Sequence, residues 1–176
     1  ADVVPFIPIE GVTIEECVRL AERVGQRIWD TLRVPVYFYE AAAKRPERVN
    51  LENLRRGQFE TLVREMGVAP ERAPDCGEAV CHPTAGAVVV GARNFLIAYN
   101  INLTTPDAAI AKQIAAKIRE SSGGFRFVKA MGLHLPSLGL AQVSMNLTNF
   151  TAIPLEDLYA AVEAEAARLG TAIAES

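Results

Sequence analysis

An α+β fold in two sub-domains is what this sequence predicts, and three observations predict it. Residues 1 to 40 read as strand, helix, strand. From residue 94 onward the order is strand, helix, strand, strand, helix. Between these regular parts lies a mostly irregular stretch, 41 to 86, rich in proline and glycine toward its end. The chain accordingly divides into 1–90 and 91–176.

The opening "DVVPFIPIEG" mixes β-branched and aromatic residues with two prolines, which suits a short strand running into a loop. Thr13 with Glu16 three residues later is a capping box. Ile14, Cys17, Val18, Ala21, Val24, Gly25 and Ile28 then repeat at helical spacing to about Leu32. "VPVYFYE", 34 to 40, is a strand. Short helical pieces are expected at "LENLRR" and "FETLVREM", followed by the run "VAPERAPDCGEAVCHPTAG". Its mixture of apolar and small residues argues for an ordered, functional segment rather than a disordered one.

"NFLIAYNINL", 94 to 103, is the next strand. Pro106 stands at a helix start, and the helix closes at Gly123 and Gly124. Strands at 126–135 and 140–150 follow, joined by the turn from Pro136 to Gly139. A last helix begins at Pro154. This order is a ferredoxin-like βαββα unit whose final strand is expected to be missing, because the chain stops at "TAIAES" where that strand should begin. With no initial Met, the chain reads as an internal piece of a longer protein.

Composition removes several function classes. Half of the residues are hydrophobic and 22% are charged, enough for a buried core in 176 residues. A net charge of −3, with Lys and Arg scattered along the chain, leaves no footprint for nucleic acid. No apolar run reaches the roughly 20 residues that span a bilayer. Cys17, Cys76 and Cys81 are an odd number in a chain able to build its own core, which fits a reducing cytoplasm better than a disulfide framework. Glycosylation patterns at Asn102, Asn146 and Asn149 carry little weight without a secretory route.

Two features point to ligand binding. In the strand 94–103, Phe95, Ile97, Tyr99 and Ile101 share one face while Ala98, Asn100 and Asn102 share the other. In the strand 140–150, Val143, Met145 and Leu147 oppose Gln142, Ser144, Asn146 and Thr148. As central neighbours, these strands would set their amides side by side. Asn is a poor strand former, so the pattern suits a polar wall for an amide-rich or heterocyclic ligand, with a plain solvated face as the alternative.

The second feature is "CHPTAGA", 81 to 87. A zinc site lacks enough ligands, and adjacent Cys and His side chains point apart. "GAVVVGAR" lacks the Lys and Ser/Thr of a phosphate loop. A ligand-wrapping loop and a plain connection between sub-domains remain.

The stretches "DVVPFIPIEGVT", "DCGEAVCHPTAGAVVVGARNFLIAYNINL" and "LAQVSMNLTNFTAIPLEDLYAAV" closely resemble the formiminotransferase family, over nearly the whole chain. The resemblance implies two α/β sub-domains whose sheets face one another across a channel binding tetrahydrofolate. It implies transfer of the formimino group from N-formimino-L-glutamate to N5 of tetrahydrofolate, in histidine breakdown. Tetrahydrofolate is then a co-substrate, no metal is needed, and the family suggests a homodimer.

Gly77, Glu78, Ala79, Val80 and Cys81, continuing through His82, Pro83, Thr84, Ala85 and Gly86, match the family's folate-binding segment. Asn100, Asn102, Gln142, Ser144 and Asn146 would line the same channel. Arg93 would pair with a carboxylate of folate or substrate, or form an interdomain salt bridge.

The family's catalytic histidine lies in a His-Pro-Arg segment just before the match to "DVVPFIPI", so no residue here is assigned the catalytic role. His82 as a substitute has no evident orienting partner in the sequence, and His134 reads as an ordinary strand residue. The resemblance also places the first strands of the N-terminal sub-domain and the last strand of the C-terminal one outside the chain. Two readings stay open: a formiminotransferase of which this is a part, and a truncated, non-catalytic homologue that binds folate or associates with another subunit.

Overall fold

The computed structural model describes residues 3–175 and has two compact units, Ala1–Asn94 and Phe95–Ser176. Asp2 of the opening stretch and Ser176 of "TAIAES" lie outside the described residues.

In the first unit the chain runs β1 (Val3–Phe6), α1 (Ile14–Leu32), β2 (Val36–Glu40), α2 (Leu51–Leu54), α3 (Gln58–Glu65) and β3 (Val88–Ala92). The capping box forms as expected. Thr13 Oγ1 accepts from Glu16 N at 3.2 Å, and Glu16 Oε2 accepts from Thr13 N at 2.8 Å, which satisfies two of the amides that a helix start leaves without partners. α1 buries Cys17, Ala21 and Gly25. A Cβ at Gly25 would come within 2.6 Å of Phe38 Cε1, so the glycine lets the helix lie flush on β2.

The sheet order is β1-β3-β2, all parallel. Its central strand, β3, has no counterpart among the predicted elements. "VVVGA" has no polar residue to alternate with its valines, and only Val89, on the face away from α1, is partly exposed, leaving a short apolar run that periodicity cannot classify. Register puts Val4, Phe6, Phe38, Val36, Val88 and Val90 on the α1 side, where they join Ala21 and Val34 in the core. Val3, Tyr37, Tyr39, Val89 and Gly91 take the opposite face.

Between β2 and β3, side chains substitute for regular structure in ordering the backbone. Arg48, 1% exposed, donates to the carbonyls of Glu71 at 3.0 Å and Ala73 at 2.6 Å. Its Nη1 lies 2.7 Å from Asp75 Oδ1, and its guanidinium sits 5.1 Å from the Tyr37 ring centre. Asp75 Oδ2 accepts from Phe38 N at 2.7 Å, and Cys76 exchanges backbone hydrogen bonds with Val36. Segment 75–76 thereby covers the outer edge of β2, where unpaired amides would otherwise remain.

The second unit contains β4 (Ile97–Leu103), α4 (Ala108–Ile118), β5 (Val128–Leu135), β6 (Leu140–Leu147), α5 (Leu155–Arg168) and β7 (Ile173–Glu175). Its antiparallel sheet has the order β5-β6-β4-β7. The expected missing strand is present. β7 pairs with β4 through Leu103↔Ile173 and Asn102↔Glu175, with a register shift between them. Three residues are too few for an alternation pattern, and pairing alone identifies them as a strand.

Asp107 caps α4 by accepting from Ala109 N at 2.8 Å, so Pro106 precedes the cap instead of opening the helix. Both helices pack on one face of the sheet. Ile114, Ala115, Ile118, Leu158 and Val162 meet Ile101, Leu103, Val143, Met145 and Leu147 there. A Cβ at Gly132 of β5 would fall 2.2 Å from Lys112 N, so α4 lies directly against β5. Among the described residues no helix is long and apolar enough to cross a membrane.

Candidate ligand-binding surfaces

Each unit covers one sheet face with helix and leaves the other for different use. In the first unit the helix-free face floors a cavity of about 1120 Å³. Val3, Tyr37 and Val89 form the floor. The walls come from α2, α3 and the intervening Arg55 and Arg56 on one side, and from Thr84, Ala85, Gly86 and Ala87 on the other.

The stretch "CHPTAGA" folds as a tight turn. His82 and Gly86 exchange backbone hydrogen bonds at 2.8 and 2.9 Å. The His82 Nδ1 accepts from Ala85 N at 3.1 Å and Thr84 N at 3.3 Å, which fixes the ring. The orienting partners absent from the sequence pattern are thus backbone amides of its own turn. Gly86, at φ 69°, adopts a backbone conformation natural to glycine, and a Cβ there would come 3.0 Å from Phe59 Cε2.

Of the segment Gly77 to Gly86, Thr84, Ala85 and Gly86 line this cavity. Gly77 packs elsewhere, against α1: a Cβ there would lie 2.5 Å from Trp29 Cε3. Val80 is exposed, and Cys81 and His82 are half-buried behind the turn. Arg93 follows β3, donates from Nη1 to the Asn94 carbonyl at 3.0 Å, and lies beside Tyr39.

The cavity's arginines were not singled out in the sequence. Their signal is an arginine-dense stretch inside the irregular segment, with Arg45, Arg48, Arg55, Arg56, Arg64 and Arg72 within 28 positions. Within the segment Arg48 pairs with Asp75, Arg72 binds Glu65 Oε2 at 3.1 Å and the Arg56 carbonyl at 3.0 Å, Arg45 donates to the Pro70 carbonyl at 3.0 Å, and Arg56 donates to Asn53 Oδ1 at 3.4 Å. Arg48, Arg55, Arg56 and Arg72 line the cavity together with Glu47, Glu65 and Glu71, so its wall carries charges of both signs.

Titration behaviour follows burial. The Tyr37 phenol, whose hydroxyl donates to the Arg72 carbonyl, is held well above its ordinary range by burial, against the opposing pull of Arg48. Burial also pushes up the Cys81 thiol, and raises Cys76 together with the neighbouring Asp75 charge. Neither thiol is poised as a nucleophile. All three cysteines are free, and among the described residues no cluster of three His, Cys, Asp or Glu could hold a metal.

In the second unit the polar face lies opposite the helices. β4 and β6 pair with Asn100↔Ser144, Asn102↔Gln142 and Ala98↔Asn146, so the amides do stand side by side. Asn100 and Asn146 are exposed, Ser144 and Gln142 half-buried, and Asn102 is 9% exposed. Asn102 Nδ2 donates to Glu175 Oε1 at 2.7 Å, and Gln142 Nε2 donates to Asn102 Oδ1 at 2.8 Å. The neighbouring β5 adds Lys129, Met131 and Leu133 to this face. His134 alternates onto the opposite face, where it is exposed.

Comparison with known proteins gives a consistent result for both units. Residues 1–93 match the formiminotransferase domain, N-terminal subdomain, and residues 98–176 match the formiminotransferase domain. A glutamate formimidoyltransferase of Streptococcus pyogenes is 44% identical, across 96% of this chain and 56% of its own length. One from Thermoplasma acidophilum is 43% identical, across the whole chain and 58% of its own. The formimidoyltransferase-cyclodeaminase of Sus scrofa is 41% identical, across 99% of this chain and 33% of its own. The chain thus spans little more than half of the two microbial relatives and a third of the animal one.

Proposed function

The chain belongs to the formiminotransferase domain family, and from that premise we propose that it is part of a glutamate formimidoyltransferase. The reaction moves the formimino group from N-formimino-L-glutamate to N5 of tetrahydrofolate, in histidine breakdown in the cytoplasm. The N5 lone pair attacks the formimino carbon, a new C–N bond forms, and the bond to the glutamate nitrogen breaks. The N5 proton leaves, and the glutamate nitrogen regains one. In this reading the chain supplies binding surfaces, and none of its residues is assigned the acid–base role.

The observation that carries the reading is the first unit's cavity. Its volume suits a folate-sized molecule. Phe59 and Val89 offer apolar area for a flat ring, the turn from Thr84 to Gly86 permits close backbone approach, and Arg56 suits a carboxylate. The polar strand face is the second ligand-contacting surface, through Asn100, Asn102, Gln142, Ser144 and Asn146. Arg93 is a further carboxylate partner, and the assembly is a homodimer.

The test is direct assay of the full-length protein with tetrahydrofolate and N-formimino-L-glutamate. Formation of 5-formiminotetrahydrofolate with release of glutamate is the expected result, and Arg56→Glu should raise KM about tenfold. Absence of product from the wild-type protein overturns the proposal. An unchanged KM in Arg56→Glu removes that wall from the site.

A further inference from the structure

The carboxylate of Glu175 has no place in the reaction proposed above, yet it ends a chain of hydrogen bonds across three strands. The geometry points to Glu175 as a positioning residue that acts through Asn102 to set which way the Gln142 amide faces.

A carboxylate only accepts hydrogen bonds, so Asn102 must turn its amide nitrogen toward Glu175 Oε1, 2.7 Å away. That rotation leaves Asn102 Oδ1 facing β6, where only a donor can meet it. Gln142 therefore presents Nε2, at 2.8 Å. Neither amide can flip without setting two acceptors or two donors against each other, and Asn102 is buried enough for that mismatch to be costly. Glu175 thus removes the ambiguity that an isolated Asn–Gln pair would keep.

The consequence lies at the end of the relay. Gln142 Oε1 and the second hydrogen on Nε2 carry no protein hydrogen bond among the described residues. They offer an acceptor and a donor in a fixed arrangement, beside the side chains of Ser144 and Asn100 on the same face. The complementary ligand group carries an N–H donor next to a carbonyl or imine acceptor. The 2-amino-4-oxopyrimidine edge of the pterin has that pattern, and so has the amidine-like formimino group. This inference rests on the polar face contacting substrate, as proposed above.

The test uses the full-length protein, equilibrium binding of tetrahydrofolate, KM for N-formimino-L-glutamate, and thermal melting. Gln142→Ala should weaken one of the two ligands about tenfold, and which one it is distinguishes pterin from formimino recognition. Glu175→Ala should weaken the same ligand by a similar factor, in addition to any Tm lost when the Asn102 amide gives up its acceptor.

Asn102→Asp sets two carboxylates together and should also lose affinity. Adding Glu175→Gln to that variant returns a donor to position 175, leaves position 102 as acceptor to both neighbours, and should bring affinity back to within about threefold of wild type. Unchanged affinities in Gln142→Ala remove the polar face from the site, and this inference falls with it. Weakening in Gln142→Ala but not in Glu175→Ala overturns the relay alone. So does a double variant that recovers its Tm without recovering affinity.

Discussion

At the scale of single residues, the first unit depends on polar groups buried where an apolar core would be the simpler choice. Arg48 and Asp75 are each nearly inaccessible, and between them they hold two carbonyls of the irregular segment and one amide of β2. Removing one partner strands the other charge away from water. Arg48→Ala should therefore destabilise the protein by about 3–5 kcal/mol, read from urea denaturation. Tyr37 makes stability depend on alkaline pH. The folded state keeps a phenolic proton that the unfolded chain releases near pH 10, so this contribution is full below about pH 10 and declines as pH rises further. Tyr37→Phe should flatten that decline, and a urea midpoint equally pH-dependent in both proteins would refute it. The raised Cys76 and Cys81 thiols should react with iodoacetamide more slowly at neutral pH than an exposed cysteine does.

At the scale of elements, two close approaches fix how helices meet sheets. Gly25 admits the Phe38 ring beneath α1, and Gly132 admits the backbone of α4 onto β5. A side-chain ring can shift, whereas Ala111 and Lys112 are held by the hydrogen bonds of their helix. Gly132→Ala should accordingly cost about 1–3 kcal/mol or more, with Tm as the readout. Thr13→Ala removes one side of the capping box and should cost about 1 kcal/mol, because the Glu16 amide loses its acceptor at the end of a 19-residue helix.

At the scale of the molecule, each unit has its own core and its own polar sheet face or cavity. A ligand that binds only the folded protein stabilises it by mass action. Tetrahydrofolate at about 100 times its Kd should stabilise the full-length protein by about 2.7 kcal/mol, seen as a rise in Tm. Phe59→Ala should reduce that rise by weakening the apolar wall of the cavity, and an equal rise in the variant would place the ligand elsewhere.

By itself the sequence determined α1, β2, β4, β5, β6, α4 and α5, together with the facing of Asn100, Asn102, Gln142 and Ser144. Each follows from local physics: a capping box within four residues, a helical period, or the two-residue alternation of a strand. Tertiary structure alone decided β3, since hydrogen-bonded neighbours and not side-chain pattern make that short segment a strand, and it decided that β7, expected only to begin at "TAIAES", already pairs with β4. It also decided how the arginines of this segment are used, because Arg48 finds Asp75 only once the intervening segment has folded over Tyr37. The polarity of the amide wall belongs there as well. Glu175 is 73 positions from Asn102, and only the closing of β7 onto β4 brings a carboxylate to an amide whose orientation its own neighbours leave open.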